Sequence, residues 1–170
     1  MMLMFFIVEK MTAKEMKKEI SERITPIKSF CEKMNITIRY EDNDLIADEV
    51  ASQIQEIIEI FQLQEDETSR LRIKKFQQFQ VNFELFLKSI NQLSDLDKVL
   101  LYHGLFMNAT QMELTEKAEI LELLNVPCIS QAKINRLYQD ACLQLLDWIK
   151  YNEAKAIKYK PTTSLQLSHC

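Results

Sequence analysis

One glycine, Gly104, serves the whole 170-residue chain, and only three prolines (Pro26, Pro127, Pro161) join it. Tight turns draw on these two residue types for left-handed or preset backbone conformations. A sandwich, a barrel or a doubly wound sheet needs many such turns and is therefore excluded. The single glycine also excludes the glycine-rich phosphate loops of both nucleotide-binding types, which need several glycines at fixed spacing. Long helices with short connections remain. With 47 % of the residues apolar, those helices have ample material for a core, and wholesale disorder is out. The expected class is mostly α: a helical N-terminal half with at most one or two short strands, followed by a helical C-terminal unit.

The pattern along the chain gives the elements. Thr12-Ala13-Lys14-Glu15 is a capping-box start, and Met16, Ile20, Ile24 and Ile27 then share one helical face, with Pro26 as a kink or an end. Asn35–Tyr40 alternates apolar and polar as a strand does, and Glu41-Asp42-Asn43-Asp44 closes it. From Leu45 to Leu63 the helical period returns, with Ala47, Val50, Ile54, Ile57, Ile58 and Phe61 on one side. Glu65–Ser69 is a polar break. Beyond it Phe76, Phe79, Phe83, Phe86, Leu87 and Ile90 form an aromatic stripe that reads as core rather than as a base-stacking platform. Arg70, Arg72, Lys74 and Lys75 form a basic collar ahead of the stripe. These signals divide the chain into an N-terminal helical region (1–64), a connecting amphipathic helix (65–92), a C-terminal domain (93–151) and a polar tail (152–170) that frays around Pro161-Thr162-Thr163-Ser164.

Within the C-terminal domain, Ser94-Asp95-Leu96-Asp97 caps a helix that should be nearly encircled by protein, with Val99, Leu100, His103 and Phe106 on one side and Leu101 and Leu105 on the other. Thr110-Gln111-Met112-Glu113 caps a second helix carrying Leu114, Ala118 and Leu121. Asn125–Ile129 is a turn that holds Pro127, and Ser130 caps a last helix with Ile134, Leu137, Tyr138, Ala141, Leu145, Trp148 and Ile149 inward. A short helix, a turn and a Ser-capped helix with a branched residue four positions on is helix-turn-helix grammar. A continuous helix through 120–140 would contradict it.

The order Leu93, Val99-Leu100-Leu101-Tyr102-His103-Gly104-Leu105-Phe106, Glu119-Ile120, Ser130 with Ile134, and Ala141 with Leu145 resembles the promoter-reading C-terminal domain of sigma factors. In length and layout it is similar to the phage late-gene regulators of the ArpU (autolysin regulatory protein) family, which place a sigma-like helix-turn-helix after a helical N-terminal half. The chain departs from that pattern in a turn longer than the family's Gly-x-Ser and in Leu121 where Ala follows Glu-Ile. The resemblance implies a non-enzymatic, sequence-specific transcriptional regulator that binds double-stranded DNA without cofactors.

Ser130, Gln131, Lys133, Asn135, Arg136 and Gln139 are the expected DNA-binding residues. The capped N-terminus offers free amides to phosphate, Asn and Gln suit adenine, and Arg and Lys suit guanine. The chain carries a formal charge of −4, with a net +3 confined to residues 127–170. Two cations in the reading segment imply weak affinity, so a homodimer or a contact with RNA polymerase would help. The acidic N-terminal half favours the alternative, a protein-interaction module that binds RNA polymerase or acts as an anti-sigma or inhibitor protein. Lys150, with Lys133 and Arg136, belongs to the expected basic face. Leu143, among polar groups, reads as an incidental exposed leucine ahead of a contact with a partner chain, and the apolar Met1–Val8 is the second candidate contact.

No catalytic trio and no metal site are expected. Cys31, Cys128, Cys142 and Cys170 lack metal-ligand spacing and read as incidental thiols of a reducing cytoplasm. His103 reads as a hydrogen-bonded core histidine, and His169-Cys170 as a terminal pair. Met1–Val8 is too short to span a bilayer; it reads as a buried lead-in or as an extension ahead of a start at Met11. No membrane partner is expected.

Overall fold

The computed structural model describes residues 12–168, with side chains to residue 156. Met1–Val8 and His169-Cys170 lie outside that range. The described elements are α1 (Ala13–Lys33), β1 (Arg39–Glu41), β2 (Asp44–Ile46), α2 (Asp48–Gln62), α3 (Glu67–Asn91), α4 (Asp95–Leu101), a π-helical turn (Tyr102–Phe106), α5 (Gln111–Thr115), α6 (Ala118–Leu124) and α7 (Gln131–Ser168). The chain is mostly helical, with two short antiparallel strands.

Most of the α-helices start where a short polar side chain satisfies an amide, α2 and α6 being the exceptions. The side chains of Thr12, Asp66, Ser94 and Thr110 accept from the amides of Glu15, Ser69, Asp97 and Glu113. The apolar face of α1 is buried at Met16, Ile20, Ile24 and Ile27 as its spacing requires. Pro26 neither ends nor interrupts α1. It and Glu22, the residue whose carbonyl loses its bond, are both exposed, which keeps the break on the solvent side of the helix.

The strand expected over Asn35–Tyr40 is shorter, and it has a partner that the alternation did not reveal. Arg39 pairs with Ile46 and Glu41 with Asp44. The residues between them, Asp42 and Asn43, have φ of 52° and 65°. Two consecutive left-handed residues make the hairpin turn whose twist matches that of its strands, and Asn and Asp tolerate that conformation. The carboxamide of Asn91 clamps the hairpin, accepting from the Leu45 amide (2.9 Å) and donating to the Leu45 carbonyl (3.1 Å). Lys98 is buried beneath it, its ammonium 3.0 Å from Asp44 and 3.6 Å from Asp95.

The polar break at Glu65–Ser69 is the turn of a helical hairpin, since α2 and α3 pack along each other. Phe83, Phe86 and Ile90 are buried, confirming the aromatic stripe as core, but Phe79 is half-buried against Phe30. Fully burying a side chain such as Phe83 stabilises by about 1.5–3 kcal/mol. The spine is α7, which packs on α1, α3, α4 and α5. It does not stop near residue 151: Asn152 is buried and donates to Ser89 Oγ and Gln92 Oε1, both at 2.9 Å, and Glu153 pairs with Arg23. Leu143, expected among polar groups, is half-buried and packs against the core.

Candidate nucleic-acid interface

Residues 94–136 build the candidate interface on top of this spine. Lys98, Val99, Leu100 and Leu101 are all buried, so α4 is enclosed as its two-sided pattern demanded. Past Leu101 the helix widens into the π-helical turn. Gly104 sits there because the ring of Tyr138 occupies the space beside its Cα. The second helix of the domain is two short ones, with a break at Glu116–Lys117 between α5 and α6. That break re-phases the inward face, so Leu114 and Ile120 are buried while Ala118 is exposed and Leu121 is only half-buried.

The turn itself is well defined. Asn125 takes the left-handed conformation (φ 56°, ψ 46°), and the amides of Asn125 and Val126 return to the carbonyls of Glu122 and Leu121. The chain leaves helix there and re-enters at Gln131, so no continuous helix crosses 120–140. Ser130 Oγ accepts from the Lys133 amide at 3.2 Å, and the Ser130 carbonyl accepts from Ile134. Ile134 is fully buried and fixes the first turn of α7 against the domain.

The six expected contact residues divide into two groups. Ser130, Gln131, Lys133 and Arg136 are exposed at the tip of α7. Asn135 and Gln139 are half-buried on the side facing α1, and Asn135 Oδ1 accepts from Gln111 Nε2 at 2.6 Å. Lys150 is not part of an open basic face: its ammonium is 2.8 Å from Glu19 Oε2.

The electrostatics around the tip are mixed. Asp140, also exposed, lies one helical turn beyond Arg136. Glu113, Glu116, Glu119 and Glu122 are exposed on α5, α6 and their junction, with Lys117 between them. The Glu113 carboxyl is held below its ordinary value, first by the Thr110 amide that donates to it, so that negative charge is firmly present. These acids belong to the two short helices that precede the tip in the same domain.

His103 is not the hydrogen-bonded core histidine expected. Its Nε2 is buried with no hydrogen bond and lies 3.5 Å from Glu119 Oε1, an ion-pair distance that needs a protonated ring. Cys31 and Cys142 are buried and Cys128 is exposed. Burial pushes the Cys142 thiol up to about 12, which makes it a poor nucleophile at neutral pH. Among the described residues no group of three or more His, Cys, Asp or Glu could hold a metal ion, and no helix is long and apolar enough to cross a membrane. No protein family, curated protein or solved structure matches this chain.

Proposed function

We propose that the chain is a non-enzymatic, sequence-specific DNA-binding transcriptional regulator that reads a duplex with the first turns of α7. One observation carries this reading. The left-handed turn at Asn125 and the Ser130 cap expose Lys133 and Arg136 at a helix N-terminus, while the buried Ile134 between them locks their direction. A fixed, protruding helix start with an Arg fork and a Lys suits a major groove and its flanking phosphates. Gln131 completes the exposed reading set, and Ser130 and its neighbouring amides suit a phosphate.

Binding titrations at two salt concentrations test this reading. Arg136→Ala is expected to weaken specific binding by about 1–3 kcal/mol and to leave the unfolding midpoint unchanged. Absence of duplex binding at low salt, or an Arg136→Ala variant that binds as tightly as the parent, would falsify it.

The four exposed glutamates of α5 and α6 favour a second reading, in which the same tip docks on a protein, such as RNA polymerase, that presents basic groups. That reading predicts that Glu119→Lys or Glu122→Lys strengthens DNA binding little and abolishes the protein contact.

A further inference from the structure

A groove of about 320 Å³ lies between α1 and the face of the C-terminal domain made by the π-helical turn, α5 and α7. Its volume falls in the range of small-molecule sites. In a chain of net −4, no carboxylate among the described residues lines it, whereas Lys17 and Lys28 both do. Neither lysine takes part in an ion pair among the described residues. A neighbouring cavity of about 250 Å³ differs in this respect, because its Arg23 is neutralised by Glu153 at 3.0 Å.

Two side-chain contacts set the donors of the groove. The Lys28 ammonium donates to Asn108 Oδ1 at 2.6 Å, which fixes the cation without neutralising it. An ammonium has no acceptor atom, so Asn108 must turn its oxygen toward Lys28 and leave its Nδ2 hydrogens available. Asn135 likewise spends its Oδ1 on Gln111 and keeps its Nδ2 available. The rest of the wall is apolar, with Ile20, Ile24 and Leu105, and the ring of Tyr138 beside Gly104. The groove therefore offers a held cation, two amide donors and apolar surface.

We propose that this groove binds a small organic anion, its carboxylate or phosphate head at Lys28 and Asn108 and its apolar body along Ile20, Ile24 and Leu105. The site stands independently of the DNA reading, because binding is measured on the chain alone. Its occupant touches α1 and the first turns of α7 together.

Gly104 is the chain's one glycine and lines the groove, so its amide cross-peak in a nitrogen–proton correlation spectrum is a single-residue reporter. The full chain is titrated with 4-phenylbutyrate and, separately, with its neutral analogue 4-phenylbutanamide. The Gly104 peak is expected to shift saturably with the acid and at about tenfold higher concentration with the amide, the loss of a charge-assisted hydrogen bond. Lys28→Gln is expected to weaken the acid about tenfold. Ser21→Trp, on an exposed position of α1 at the groove rim, is expected to block it while keeping the parent's unfolding midpoint. Equal binding of acid and amide, a motionless Gly104 peak, or unaltered binding by both variants overturns the proposal. So does a Gly104 shift produced by duplex DNA but not by phenylbutyrate, which would make the groove a track for a phosphate backbone.

Discussion

The ring of Tyr138 lies where the side chain of any residue other than glycine at position 104 would begin: a Cβ there would run into Cε2 and stand 2.9 Å from Cζ. Two effects oppose each other in Gly104→Ala. Helix propensity favours Ala by about 1 kcal/mol, while forcing a methyl group into occupied space costs about 1–3 kcal/mol. The clash is with an aromatic ring rather than with a flexible chain end, so it should win.

 Tyr138 is half-buried and packs against the core, which limits its movement. Gly104→Ala is therefore expected to lower stability in a denaturant titration. The double variant with Tyr138→Ala should show a coupling that offsets part of the two separate losses.

The aromatic stripe of α3 gives a graded pair. Phe83 is buried and Phe79 half-buried. Phe83→Ala is expected to cost about 3–5 kcal/mol and Phe79→Ala clearly less. Equal losses in calorimetry or denaturation would show that the packing around α3 is not as described.

Lys150 acts on stability rather than on DNA. Its partner Glu19 is also within 4.0 Å of Arg23, so removing Lys150 leaves the carboxylate one cation. The pair is partly exposed, and Lys150→Ala is expected to cost less than about 1 kcal/mol. The salt dependence of any DNA binding should be unchanged, and a shallower slope would return Lys150 to the contact surface.

Asp147 sets a pH dependence. It is 1 % exposed, neither carboxyl oxygen has a hydrogen bond, and burial pushes its pKa up to about 6 from an ordinary 3.8. Between those two values the folded chain keeps a proton that the unfolded chain gives up. Its contribution therefore makes stability fall as pH rises from about 4 to about 6 and stay lower above. Asp147→Asn is expected to flatten this window and to gain about 1–3 kcal/mol at pH 7. Unfolding midpoints measured across the window decide it, and a parent-like slope in the variant would count against the assignment.

Much of the fold was legible from local chemistry. The caps at Thr12, Ser94, Thr110 and Ser130 and the inward Ile134 depend on neighbours within four residues, and all are found as the spacing implied. The misreadings involve long-range partners. β2 exists because Asn91 holds Leu45 from a distant helix, and α7 runs past residue 151 because Ser89 and Gln92 receive Asn152. Of the candidate site, the tip with Lys133 and Arg136 could be read from a helical wheel. The turning of Asn135 and Gln139 toward α1 could not, since a wheel does not say which other helix lies alongside.

The tip and the spine are a single rod. From Arg136 to Asn152 the helix spans about 24 Å at its usual rise, and no joint divides it. Asn152 is anchored to α3 at one end, so a disturbance there would swing Arg136 as a lever swings its tip. The aim of the tip is accordingly set by the packing of the whole bundle as well as by the turn that precedes it.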